Sequence, residues 1–384
     1  MTANKIAPSI AIGPRVRKSP FYDATLRCGA KAFTVYNHMY MPTLYTSPIE
    51  EYWSLVEGVT LWDVSCQRQI EITGPDALRF VQLLTPRNLA RCKAGQCLYV
   101  LITDQDGGII NDAVLLVLGP RHFWLSPGDG DILLWALGVA VNSQMDVTIV
   151  EPDVSPLQLQ GPKSPQVART LFGDWILDLK YYRLRETELD GIPLVVSRTG
   201  WSGELGYELY LRDSRQGELL WQKVMSAGRM HDITPIAPNL IRSVEGALLS
   251  YGSDITLEDN PYVLGLGRLV DLDKEGGFIG KQALEKIQSE GVKRRLVGVE
   301  LQCAPLSASN DESWPVAFEG EVIGQITRCT HSPRLMRNIG FANVPIKQSE
   351  PGTSLIVTTP GGDEKAIVVK VPWFPAHKKI PGGA

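Results

Sequence analysis

Apolar and polar positions along this chain fall into two rhythms, and the change between them divides it. In the first part, short strand-like runs are interleaved with stretches of helical period. Residues 31–36 (KAFTVY) alternate as a strand does. Residues 47–58 read as a helix, with Ser47 as cap, Pro48 at the first helical position, Glu50 three residues after the cap and Gly58 at the stop. Residues 64–72 are strand-like, and Gly74, Pro75 and Asp76 open a helix over 77–84. Strands over 96–103 and 109–118 follow, joined by a hairpin turn at 104–108 (DQDGG). The same grammar returns further on. A strand at 157–160, a Gly-Pro turn at 161–164, a helix to Leu171 and strands at 192–198 and 207–211 repeat it, and a long helix over 214–230 comes next. After a helix over 281–290 the rhythm becomes all strand: 296–301, 314–318, 321–327, 338–344, 354–358 and 364–370, mostly separated by turn residues. That spacing predicts a small β-barrel or sandwich.

The expected fold class is therefore α+β, two related α+β layers followed by a β-rich unit. The divisions are expected at 1–150 (an extended N-terminal arm and the first layer), 151–285 (the second layer) and 286–384 (the barrel). A chain of 384 residues, 44% hydrophobic and 21% charged, has the composition of an ordinary globular protein. Its net charge of −4 gives no support for a nucleic-acid footprint. The longest apolar stretch, 132–141, is too short to span a membrane. Pro8 and Pro14 interrupt the apolar patch at the N-terminus, and six sparse, unpatterned cysteines point to reduced thiols, so a cytoplasmic location is expected.

Several familiar motifs fail on inspection. Gly265 and Gly267 lack the third glycine and the βαβ setting of a dinucleotide loop, and residues 275–282 have Glu275 and Gln282 where a phosphate-binding loop needs Gly and Ser/Thr. Cys92 and Cys97 have no second ligand pair for zinc, and no metalloprotease or nucleophile-elbow pattern occurs.

Four other stretches are specific in combination: 61–77 (LWDVSCQRQIEITGPDA), 95–100 (GQCLYV) with 106–112 (DGGIIND), 198–208 (RTGWSGELGYE), and 241–255 (IRSVEGALLSYGSDI) followed by 278–281 (FIGK). In order and spacing the chain resembles the aminomethyltransferase family, the T-protein of the glycine cleavage system and its folate-dependent relatives, over about residues 30–345. Stretches such as 33–39 (FTVYNHM), 84–89 (LTPRNL), 159–164 (LQGPKS) and 238–241 (PNLI) make it most similar, within that family, to the dimethylsulfoniopropionate (DMSP) demethylases. The resemblance implies a three-domain cloverleaf around a folate channel, with tetrahydrofolate as cofactor and a small-molecule methyl donor as partner. A homodimer is left open.

What the resemblance implies for the residues can be weighed against the chemistry. DMSP is a sulfonium zwitterion whose methyl group is already electrophilic, so a direct transfer to N5 of tetrahydrofolate needs alignment more than activation, and no metal. Glu208 matches the family carboxylate that faces the pterin, a bidentate role. Asp112 matches the acidic residue near N5, and Tyr99 a tyrosine that lines the channel. Arg242 and Glu245, three apart on a helix, share a face and are candidates for the folate. Aromatic faces hold a sulfonium by cation–π attraction, and Trp201, Tyr210, Phe21, Tyr22 and Tyr36 are the candidates for that cage. Trp53, Trp62, Trp135 and Trp221 read as core. Two stretches depart from the demethylase pattern: Gln67 stands where a carboxylate is usual, and 203–206 (GELG) is closer to the T-protein. Three alternatives therefore stand beside the demethylase: an O- or N-demethylase, in which Tyr36 or His38 would serve as acid, a true glycine-cleavage aminomethyltransferase, and a non-enzymatic folate-binding protein.

Overall fold

The computed structural model describes residues 12–379. The first eleven residues of the expected N-terminal arm lie outside the described residues. Helix α1 (Tyr22–Arg27) leads into a hairpin of β1 (Ala32–Tyr36) and β2 (Met39–Leu44). Helix α2 (Pro48–Glu57) follows, with the Ser47 hydroxyl accepting from the Glu50 amide and Pro48 in the first turn, as the capping pattern predicts. Of the strand expected over 64–72 only the end forms, as β4 (Ile70–Thr73); a separate strand, β3 (Thr60–Asp63), precedes it, and the two go to different sheets. The Asp63 carboxylate accepts from both the amide and the hydroxyl of Ser65, so a side chain diverts the backbone from the ladder and starts a turn.

The first sheet is completed by α3 (Ala77–Leu84), the meander β5 (Gln96–Thr103), β6 (Ile109–Gly119) and β7 (His122–Pro127), then α4 (Ile132–Val141) and β8 (Thr148–Val150). Its strand order is β5-β6-β7-β4-β8. The second sheet takes β9 (Ser155–Gln160), α5 (Ser164–Phe172), the meander β10 (Leu184–Leu189), β11 (Ile192–Ser197) and β12 (Gly206–Leu211), then α6 (Gly217–Gly228) and β13 (Thr234–Pro235), in the order β10-β11-β12-β9-β3-β13. The repeat is therefore strand, helix and three-stranded meander, the third meander strand returning to pair with the first strand. Sequence reading found only two strands of each meander. The third is β7 in one sheet, buried along nearly its whole length and so without alternation, and β10 in the other, a charged edge strand. The helix expected over 214–230 is helical throughout but tightens into 3₁₀ turns at both ends, around α6.

Each sheet has its own outer core. Phe80 and Val81 of α3 and Ala136 of α4 pack on Ile72, Leu115 and Leu125. Val167 of α5 and Leu220 of α6 pack on Leu157, Leu194 and Leu209. The inner faces meet through Leu116 and Trp124 of one sheet and Val195 and Tyr210 of the other. Helix α7 (Leu240–Glu245), the segment to residue 280 and helix α8 (Lys281–Glu290) then lead to a closed barrel. Its strands are β14 (Arg294–Leu301), β15 (Trp314–Phe318), β16 (Glu321–Ser332), β17 (Arg337–Pro345), β18 (Ser354–Thr359) and β19 (Gly362–Val369), ordered β14-β17-β16-β15-β18-β19. The barrel leans on α7 through Val244, Ile339 and Phe341.

Candidate active site

Between the two inner faces the side chains change from apolar to polar, and a cavity of about 460 Å³ opens there. Strand periodicity decides what reaches it. On β12, Tyr207, Leu209 and Leu211 enter the outer core, so Glu208 points the other way. On β9, Leu157 and Leu159 do the same, which turns Gln158 inward, directly across from Glu208 on one side and Trp62 of β3 on the other. On β6 the alternation brings Asp112 and Val114 to the opposite wall. Residues 247–251, Trp201, Tyr181 and Tyr182 complete the enclosure.

Glu208 is only 4% exposed. Its Oε1 accepts from Gln158 Nε2 at 2.9 Å, and its Oε2 accepts from the hydroxyls of Thr199 and, at 3.1 Å, Tyr210. Burial pushes its carboxyl above the usual carboxylate range, against the three donors and the nearby Lys378, which pull it down. Because the Gln158 amide donates to that carboxylate, its own Oε1 must point elsewhere, and it is left buried without a partner. Asp112 accepts from the Tyr99 hydroxyl at 2.8 Å. Burial raises its carboxyl from 3.8 to about 6, with Tyr99 acting in the opposite direction. The wall thus carries two carboxylates, Asp112 and Glu208, and two cations, Arg268 and Lys378.

Two family models match the chain, the GCVT N-terminal domain over residues 21–274 and the glycine cleavage T-protein C-terminal barrel domain over 294–375. The chain belongs to the glycine cleavage T-protein family. A dimethylsulfoniopropionate demethylase from Ruegeria pomeroyi is 38% identical over 95% of this chain and 99% of its own length. An aminomethyltransferase from Symbiobacterium thermophilum is 32% identical over 94% of this chain and 97% of its own. The crystal structure of the glycine cleavage aminomethyltransferase T from Bartonella henselae superposes with a TM-score of 0.85 at 22% identity, covering 95% of this chain and 99% of that one, so the fold is shared. The expected fold class, an α+β cloverleaf of this family ending in a β-barrel, is the one observed.

Of the ten candidate site residues, Glu208, Asp112, Tyr99, Trp201 and Tyr36 line the cavity. The Trp201 indole is fixed by its N–H, which donates to the Leu249 carbonyl at 3.1 Å. The other five lie elsewhere. Arg242 is fully buried and donates from Nε to Glu204 at 2.6 Å and from Nη2 to the Gly203 carbonyl at 3.1 Å, so it braces the 203–206 turn from behind. A side chain at Gly203 would collide with that guanidinium, 2.9 Å from an ideal Cβ. Glu245 is also fully buried and accepts from Tyr52 at 2.8 Å and from Ser332 and Arg334 at 2.6 Å each, which ties α7 to α2 and the barrel. Arg242 and Glu245 do share a helix face, but at 3.9 Å each is engaged more closely by another partner. Tyr210 sits behind Glu208 as its donor and packs on Trp124. Phe21 packs on Trp221 in the outer core, and Tyr22 stacks with Phe33 and Tyr40 on the hairpin.

Sequence reading missed Gln158, Thr199, Trp62, Tyr182, Arg268 and Lys378. Gln158 left a signal, a polar residue repeated with Gln160 on one face of a strand whose other face is leucine. Trp62, which reads as core from sequence, is buried, yet it also walls the cavity. Lys378 left none, being nine residues past the last strand of the barrel.

Proposed function

We propose that this chain is a tetrahydrofolate-dependent demethylase that takes a methyl group from DMSP. One observation carries the reading: a single cavity, which Trp201 also lines, sets a hydrogen-bond-acceptor end, Glu208 with Gln158, against an anionic and aromatic end, Asp112 with Tyr36 and Tyr99. Similarity over nearly the full length to a relative that bears the demethylase name supports it.

The acceptor end suits a pterin. Glu208 and the unpartnered Oε1 of Gln158 offer neighbouring acceptors to the N–H groups of an aminopyrimidine edge. Tetrahydrofolate, when bound, supplies the nucleophilic N5. The chain's residues orient, enclose and balance charge. Trp201 and Tyr36, both in the cavity wall, are the aromatic groups for a sulfonium. Asp112, ionised above about pH 6, is the counter-charge for that cation. As the S–CH₃ bond breaks, its electron pair stays on sulfur, which leaves as a neutral thioether, and Asp112 takes the proton that the new N-methyl group displaces. Tyr99 holds the Asp112 carboxylate in position.

The stretch 203–206, which resembles the T-protein more than the demethylases, contributes no side chain to the cavity wall, and the Glu204 carboxylate is engaged by Arg242, so it does not weigh against a sulfonium donor. The other departure, Gln67, does line the cavity, where it adds a neutral polar group. The test is anaerobic incubation of the purified protein with tetrahydrofolate and DMSP, followed by mass spectrometry. Protein-dependent 5-methyltetrahydrofolate is expected. Intact folate with DMSP, but turnover with a methoxyaromatic, a methylamine or a lipoyl carrier protein, would overturn the reading.

A further inference from the structure

After β19 the chain turns back from the barrel to the cavity between the sheets. The Trp373 indole donates to Glu300 at 3.0 Å, and the Arg334 guanidinium lies 3.7 Å from the centre of the Phe374 ring. The Phe374 amide then donates to the Glu245 carbonyl at 3.0 Å, and the His377 amide to the Gly203 carbonyl at 2.8 Å. The Arg198 guanidinium clasps the Lys378 carbonyl. The segment is thus tied to the barrel, to α7 and to the second sheet, and its far end puts Ala376 and Lys378 in the cavity wall.

Lys378 arrives there with unused capacity. An ammonium has three donors. One goes to the Glu204 carbonyl at 2.7 Å, and the Tyr181 ring centre lies 5.3 Å away. Among the described residues no carboxylate stands within ion-pair distance of it, because Glu204 turns its own carboxylate to Arg242 and His377. Enclosing a cation without a counter-ion is costly. The loss of solvent lowers the Lys378 ammonium to about 8. The other cation on the wall, Arg268, is exposed at the rim. Among the described residues, Lys378 is the one cation of the wall that is not exposed to solvent.

We propose that Lys378 is the carboxylate-binding cation of this cavity, delivered by the returning C-terminal segment. The probes follow from the demethylase reading, under which two ligand groups have the required chemistry, the propionate carboxylate of the sulfonium donor and the glutamyl carboxylate of the folate.

The experiment compares wild type, Lys378→Gln and Lys378→Arg, all as full chains, with two matched pairs of ligands. DMSP is set against trimethylsulfonium, which keeps the reacting centre and lacks the carboxylate, with KM as the readout. Tetrahydrofolate is set against 6-methyltetrahydropterin, which lacks the glutamyl tail, with Kd from anaerobic calorimetry. A charge-assisted hydrogen bond is worth about ten- to a hundredfold in affinity. Lys378→Gln is therefore expected to weaken the carboxylate-bearing member of one pair by about that factor and to spare its partner, with Lys378→Arg recovering most of the loss. The pair affected identifies the source. No change in either pair, or equal weakening of both members together with a lower melting temperature, would overturn the proposal. If wild type binds neither DMSP nor tetrahydrofolate, the demethylase reading falls, and propionate titrated against lysine ε-methylene NMR signals decides the site independently. A saturable shift in wild type that Lys378→Gln abolishes keeps the proposal; its absence removes it.

Discussion

Replacing Asp112 by Asn separates what this residue does for the reaction from what it costs the fold. Asn has nearly the same shape and its Oδ1 still accepts from Tyr99, so the change removes charge and little else. The carboxyl of Asp112 is raised from 3.8 to about 6, a difference worth about 3 kcal/mol between the two protonation states. Part of the side chain faces the cavity, where water screens it, so about 1–2 kcal/mol is the expected effect. The folded state holds the proton more tightly than the unfolded one. The stability that protonation contributes is complete below about pH 4 and is lost as the pH rises through about 6, so at neutral pH the ionised carboxylate is a net cost. Asp112→Asn should match wild type in urea near pH 4, then gain about 1–2 kcal/mol relative to it between pH 4 and 6 and keep that gain above. Methyl transfer should move the other way, with kcat/KM at pH 7.5 down tenfold or more and the acid limb that wild type shows near pH 6 absent. Urea midpoints at several pH values, with initial rates of 5-methyltetrahydrofolate formation on the same preparations, measure both. A variant that is less stable than wild type at pH 8, or one with undiminished turnover, would refute the reasoning.

Two further outcomes follow. Trp201→Ala should raise KM for a sulfonium donor by about 2- to 30-fold, the worth of one cation–π contact, and leave tetrahydrofolate affinity within twofold; equal losses in both would remove Trp201 from the donor pocket. Arg242→Met should destabilise the protein by about 3–5 kcal/mol, because Glu204 then stays buried without its cation, while the folded fraction binds tetrahydrofolate normally, as calorimetry on the native protein would show.

The sequence announces its elements well where local chemistry governs them. The Ser47–Pro48–Glu50 start of α2, the tight hairpin turn between β5 and β6, and the run of short barrel strands are all written in neighbouring residues. It hides what depends on distant partners. Nothing near Val64 says that β3 will leave for the second sheet, because its pairing partners, β9 and β13, lie about a hundred residues and more downstream. The candidate site divides in the same way. Glu208 and Asp112 are legible through strand alternation and motif, whereas Arg242 and Glu245 sit in an equally suggestive motif and serve as buried ties. Only the third dimension tells a charge that faces a cavity from one that faces another charge.

The two sheets each have a separate hydrophobic core, and the cavity runs along the seam where they meet, with Asp112 on one side and Glu208 on the other. A molecule that touches both walls is consequently a rivet as well as a reactant. Filling the seam should slow amide exchange on the facing strands of both sheets together and raise the unfolding temperature in proportion to the logarithm of ligand concentration. A ligand that reaches only one wall would protect one sheet and leave the other breathing.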